Sequence, residues 1–262
     1  MRRKKSTPNP IVLITGSTSG IGEAIADRFA DEGFDLILVG RRMDRLKKQK
    51  RLLQRMYHHN NRVLALCLDV RSQSEVEKKL GNLPNDWKNI AVLVNNAGLA
   101  VGLDPVQEGV VDDWDRMIDT NVKGLLYVSR MIAPLMIENG HGHIVNIGSI
   151  AGKQVYPNGA AYCASKHAVD AISQGLRMDL VSHGIRVTQI CPGAVETEFS
   201  IVRFKGDKKR AKSVYNGFEP LRAKDVADAV FYCVTLPEHV CINDMVITPT
   251  AQAAATIIHK NL

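Results

Sequence analysis

Ser149, Tyr162 and Lys166 carry the side chains from which carbonyl chemistry can be built. Tyr162 and Lys166 stand four residues apart in Ala161-Tyr162-Cys163-Ala164-Ser165-Lys166, and Ser149 lies thirteen residues before Tyr162. A spacing of four puts both side chains on one helix face. A phenol with its ordinary pKa of about 10 exchanges protons poorly at neutral pH, and a neighbouring ammonium favours the phenolate. A serine hydroxyl at a strand end can donate to an oxygen on which charge develops. Tyr-x3-Lys alone occurs by chance on many helices, so the weight of the group depends on what stands around it.

Far upstream, Thr15-Gly16-Ser17-Thr18-Ser19-Gly20-Ile21-Gly22 is a turn that can hold a dinucleotide. Gly16 lets the chain leave a strand sharply, and Gly20 and Gly22 let backbone amides approach a pyrophosphate at a helix start. The spacing G-x3-G-x-G departs from the general G-x-G-x-x-G fingerprint. About 20 residues on, an NAD site would place Asp or Glu to hold the ribose 2′-hydroxyl. Here Val39-Gly40 is followed by Arg41 and Arg42, with no carboxylate until Asp44. Two guanidinium groups suit a 2′-phosphate, and cations at a helix start oppose the helix dipole, so NADP is the expected cofactor. Asp69-Val70 can receive the adenine amino group. In Asn95-Asn96-Ala97-Gly98, the amides can tie strand ends while Ala97 and Gly98 admit the cofactor.

These residues need a scaffold, and the apolar pattern supplies one. Short apolar runs at 11–14, 35–40, 63–68, 91–94, 144–147 and 185–190 read as buried parallel strands. Helices are expected at 23–32, 44–57, 113–139 and 160–182, the first closed by Gly33. Strands alternating with helices define an α/β single-domain doubly wound parallel sheet with helices on both faces. Every motif falls just after a strand or on the helix that follows one, where such sheets bind ligands. The domain is expected over residues 11–250, with 1–10 a basic arm, 194–220 a substrate-loop region and 251–262 a tail.

With 262 residues and a formal charge of +7, the chain has ample length for one core and a bias toward anionic ligands. Arg2, Arg3, Lys4 and Lys5 supply four of the positive charges. No aromatic–basic interleaving points to nucleic acid, and no apolar run is long enough to span a membrane. The basic start lacks the apolar stretch of a signal peptide, so a cytoplasmic protein is expected. Five scattered cysteines read as free, mostly buried thiols rather than a disulfide framework. His58-His59 and His141-x-His143 lack the further ligands of a metal site and read as surface or loop residues.

Taken together, the motifs resemble those of the short-chain dehydrogenase/reductase family over residues 11–248. The resemblance rests on Thr15-Gly16 to Gly22, Asn95 to Gly98, Asn121, Ser149, Tyr162, Lys166 and Pro192-Gly193 in the family's order. It implies a Rossmann fold with Tyr162 as acid/base and Lys166 lowering its pKa and holding the nicotinamide ribose. Ser149 would position the carbonyl, and Asn121 would support a proton-relay water. Pro192, Gly193, Val195 and Thr197 would line the nicotinamide pocket. The stretch 198–207 and the Gly40-Arg41-Arg42-x2-Arg45 segment are similar to NADP-dependent 3-hydroxy acid dehydrogenases acting on serine and allo-threonine. A small anionic substrate follows, with Arg203, alone or joined by Lys205, as its carboxylate partner. The alternatives are a 3-oxoacyl thioester reductase and a non-catalytic NADP-binding scaffold. The family also implies a homotetramer or homodimer.

Overall fold

The computed structural model describes residues 9–57 and 61–261. The cationic arm at Arg2 to Lys5 and the His58-His59 pair lie outside these residues. Seven strands form one parallel sheet in the order β3-β2-β1-β4-β5-β6-β9. They are β1 (Ile11–Thr15), β2 (Asp35–Gly40), β3 (Val63–Cys67), β4 (Ile90–Asn95), β5 (His143–Ile147), β6 (Arg186–Pro192) and β9 (Asp244–Ile247). Every residue of β1, β2 and β5 is buried, as unbroken apolar runs covered on both faces require.

Helix α1 (Gly20–Asp31), α2 (Met43–Met56) and α9 (Ala223–Thr235) cover one face of the sheet. There Phe29 meets Phe34 and Phe231 edge-on, with ring centroids 4.9 and 5.3 Å away. Helix α3 (Gln73–Gly81) and α5 (Gly124–Asn139) cover the other face through Val76, Leu80, Val128 and Ile132. Helix α6 (Ala160–Leu180) carries Tyr162 and Lys166. The expected doubly wound α/β sheet is therefore the observed fold.

Three features depart from the sequence pattern. The helix expected at 113–139 consists of α4 (Val111–Ile118), a π-helical turn at Asp119–Lys123 and α5. Apolar periodicity runs through the wide turn without a break, so the pattern hides it. The edge strand β9 has alternating exposure and only four residues, too little for a buried-strand signal. The region after β6 adds a short ribbon, β7 (Val195–Glu196) with β8 (Leu221–Arg222), and two small helices, α7 (Phe199–Arg203) and α8 (Lys208–Ser213). All five cysteines are free thiols, and Cys163, Cys191 and Cys233 are buried.

His143 is not the surface residue that its loop-like surroundings suggested. It is buried at the start of β5, and its Nε2 lies 2.7 Å from Thr188 Oγ1. The Thr188 hydroxyl donates to Ile242 O at 2.6 Å, so Nε2 must carry the imidazole proton. Nδ1 is buried without a partner, and burial beside Arg186 pushes the pKa down to about 3. The unfolded chain therefore takes up a proton near pH 6.5 that the folded chain refuses until about pH 3. Stability is expected to fall by up to about 1.4 kcal/mol per pH unit across that window because of this residue alone. Urea unfolding of the native chain and His143→Gln should diverge as pH falls from 6.5 to 4, the native chain losing more. Parallel curves would reject this origin of the acid sensitivity.

Candidate active site

The chain reverses its direction of winding between β1 and β4, and the loops there open onto a cavity of about 490 Å³. Thr15 Oγ1 accepts from the backbone amides of Asn96 and Ala97, both at 3.0 Å. Asn96 Nδ2 donates to Thr15 O at 2.9 Å. Gly16 has φ +64°, and a Cβ there would stand 2.9 Å from Ala97 Cα. A Cβ on Gly22 would overlap the Gly16 carbonyl and the Asn96 side chain. The two loops thus approach as closely as backbone allows, which only glycine permits.

Gly16, Gly20, Ile21, Arg41, Arg42, Asp69 and Val70 line one end of the cavity. Arg42 Nη2 donates to the hydroxyls of Thr18 at 3.2 Å and Ser19 at 3.4 Å. The Asp69 carboxylate pairs with Arg71 at 2.7 Å. Burial works against its charge, but the Arg71 hydrogen bonds prevail and hold the carboxyl below its ordinary range. A glycine cradle beside hydroxyls and paired guanidinium groups fits a dinucleotide carrying an extra phosphate.

Ala97, Gly98, Pro192, Gly193, Val195 and Thr197 line the middle. Three residues expected to touch cofactor do not reach the wall. Ser17 is buried, its amide donating to Val39 O at 3.1 Å. Gly22 serves the packing of the two loops. Asn95 is a brace, donating to Ser129 Oγ at 3.0 Å and Asn146 Oδ1 at 2.9 Å across to β5.

At the chemical end, Ser149 begins a short 3₁₀ turn and accepts from Ala151 N at 3.1 Å. Tyr162 and Lys166 face inward on α6, and both are buried. Lys166 Nζ donates to Ile147 O at 2.8 Å, and burial lowers its pKa to about 8. Burial pushes the Tyr162 phenol up, while the charge of Arg203 and a hydrogen bond with Ser149 pull it down. Arg203 Cζ lies 5.0 Å from the centre of the Tyr162 ring. The cation acting on Tyr162 in this structure thus comes from α7.

Arg203 Nη2 donates to Tyr156 Oη at 2.6 Å, while its Nε is buried without a partner. Arg203, Tyr156 and Phe199 complete this wall. Lys205 does not join it. Its backbone turns into the left-handed region at φ +52°, and its ammonium pairs with Asp113 at 2.7 Å. Asn121 sits in the π-helical turn and is also off the wall. Its Oδ1 accepts from Leu99 N at 2.8 Å, and its Nδ2 donates to Leu99 O and Ser165 Oγ, both at 2.9 Å. A π turn at such a site is common.

The segment set apart in the sequence as a tail folds back onto the site. Gln252 Oε1 accepts from Ala194 N, Gln154 Oε1 accepts from Ala255 N, and Asn261 N donates to Gly217 O, each at 2.8 Å. Gln252, Ala255 and Ile258 line the cavity. Their types carry no chemical signal, so sequence reading passed over them.

The short chain dehydrogenase family matches residues 10–208, and the chain belongs to that family. It is 46% identical over 253 residues to NADP-dependent 3-hydroxy acid dehydrogenase YdfG of Salmonella typhi, covering 96% of this chain and 100% of the relative. Sulfoacetaldehyde reductase 2 of Chromohalobacter salexigens is 46% identical over 245 residues, covering 93% and 95%. Among solved structures, the closed form of serine dehydrogenase complexed with NADP+ superposes with a TM-score of 0.89 at 45% identity. That match covers 96% of this chain and 100% of the other.

The placement of Arg203 can be tested directly. With Cζ-labelled tyrosine, the Tyr162 resonance, assigned by its loss in Tyr162→Phe, should titrate at higher pH in Arg203→Met than in the native chain. An unchanged or lower midpoint would show that the guanidinium does not act on this phenol.

Proposed function

We propose that the chain is an NADP(H)-dependent oxidoreductase that moves a hydride between NADP and the hydroxyl-bearing carbon of a small 3-hydroxy acid. Serine and allo-threonine are the model substrates, and the reverse reaction reduces the matching carbonyl. The observation that carries the substrate class is Arg203. Its guanidinium lies beside the Tyr162 ring and keeps a buried Nε donor free of protein partners. Arg203 lines the cavity, and a carboxylate borne by the carbon next to the reacting one would meet its guanidinium there, gaining orientation as well as attraction. The named activities of the relatives support the same class, and a sulfonate presents equivalent anionic oxygens.

In this reading Arg41 and Arg42 hold the 2′-phosphate, Asp69 and Val70 border the adenine, and the glycine turn receives the pyrophosphate. Bound NADP supplies the hydride acceptor. Ser149 donates to the substrate oxygen, and Tyr162 takes the hydroxyl proton. Arg203 and Lys166 favour the phenolate that does so. The Asn121 side chain is fully engaged with Leu99 and Ser165, so Asn121 would support the relay water through its main chain in the π-helical turn. A cytoplasmic location accords with five unpaired thiols. Self-association as a homotetramer or homodimer accords with exposed Leu126, Ile137, Met178 and Val181 on and beside α5 and α6. A second reading, reduction of a 3-oxoacyl thioester, draws on the exposed Lys208, Lys209, Arg210 and Lys212 of α8.

Initial rates of NADP+ reduction with L-allo-threonine test the assignment. Tyr162→Phe should lose roughly a hundredfold or more of the turnover while still binding NADP+. No turnover of free acids by the native chain, with 3-oxoacyl thioesters reduced, would replace the first reading by the second. Arg203→Ala should raise KM for the hydroxy acid roughly tenfold to a hundredfold and that for a neutral alcohol far less. Equal effects on both would reject the carboxylate contact.

A further inference from the structure

Glu198 lines the cavity beside Arg42, and the redox chemistry does not use it. Its two carboxylate oxygens lie 3.2 and 3.0 Å from Arg45 Nη1, and the nearer one is 3.9 Å from Arg42 Nη1. The same Arg42 guanidinium points its Nη2 at the Thr18 and Ser19 hydroxyls of the glycine turn. Arg42 is therefore held between a hydroxyl pair on one side and a carboxylate on the other. Glu198 is fixed in place by its neighbours. Thr197 packs against Gly20, where an added Cβ would meet its side chain at 3.2 Å, and the Phe199 ring lies edge-on to Tyr162 at 5.7 Å.

We infer that Glu198 is a specificity-determining residue of the 2′-phosphate site, a resident anion that shares Arg42 with the phosphate and selectively lowers affinity for NADP. The inference rests on the proposal that the chain uses NADP. A 2′-phosphate held by Arg41 and Arg42 sits within one guanidinium of the Glu198 carboxylate, and the two repel. NAD carries only a hydroxyl at that position and feels none of this. Arg45 gives Glu198 a second cation, so the carboxylate stays when phosphate takes Arg42. All three side chains are about half exposed, which keeps the interaction modest. A modest repulsion lets an enzyme with a cationic phosphate site still release its cofactor.

Isothermal titration of NADP+ and NAD+ against the full native chain, Glu198→Gln and Glu198→Asp separates charge from shape. The ratio of the NAD+ to the NADP+ dissociation constant should rise about threefold to tenfold in Glu198→Gln at low salt, through tighter NADP+ binding. Glu198→Asp, which keeps the charge, should stay within about twofold of native. The rise should shrink at about 0.5 M salt, because exposed charges are screened. A ratio that is unchanged or lower in Glu198→Gln overturns the inference, as does an equal weakening of both cofactors, which would make Glu198 a brace for its segment. A native chain that binds NAD+ as tightly as NADP+ would overturn the cofactor reading itself.

Discussion

Two neighbouring parallel strands, β1 and β4, lead to helices on opposite faces of the sheet, and the fold depends on how that split is closed. Where the strands part, backbone groups lose their ladder partners and would be left unpaired. Thr15 meets the need on one side by accepting from two consecutive amides of the β4 loop, and the Asn96 side chain returns a bond to Thr15 O. The loops are thereby locked edge to edge, at a separation that no side chain on Gly16 or Gly22 would tolerate. The close approach that completes the hydrogen bonds also leaves the groove that suits a pyrophosphate. Asn95, turned the other way, joins β4 to β5, so the Ser149 loop inherits its position from the same junction.

The chemical end faces an opposing constraint. Burial disfavours the charged forms of both Tyr162 and Lys166, raising the one pKa and lowering the other. A site that excludes water for hydride transfer thus works against the proton transfer that accompanies it. Arg203 answers this from outside α6. Its charge lies along the Tyr162 ring, while the hydroxyl of Tyr156 anchors it. In the proposed reaction one guanidinium has two tasks, favouring the phenolate and holding the substrate's anionic group. That economy explains why a neutral residue there would be costly in two separate ways.

Much of this was legible because it is local. Buried parallel strands are unbroken apolar runs, so β1 to β6 emerged within a residue or two of their observed bounds. The spacing of Tyr162 and Lys166 needs only one helical turn. Arg41 and Arg42 follow a strand end by necessity of the fold. What escaped depends on distant partners. Lys205, expected to join Arg203 from two residues further on, is turned to Asp113 by its own left-handed backbone. Tyr156 has no motif to announce it, and Gln252 acts through a long-range bond to Ala194. The π-helical turn around Asn121 keeps its apolar pattern while changing its hydrogen bonding, so periodicity cannot reveal it.

The segment from Thr197 to Arg203 gathers these consequences. Ser200 is its only buried residue, so little apolar burial fixes it. Its position comes from directional contacts at intervals: Glu198 on two arginines, Phe199 on the Tyr162 ring, and Arg203 on Tyr156. Elements held by a few polar contacts and sparse packing open at lower free energy than the core. The contacts of Glu198, Phe199 and Arg203 lie where cofactor or substrate would bind, while Ser200 to Tyr215 Oη at 2.7 Å and the Gly102 amide to Arg203 O at 3.0 Å tie the segment to the surrounding chain. The arrangement couples the position of these side chains to what the cavity holds. A hydrophobically docked helix in the same place would have been indifferent.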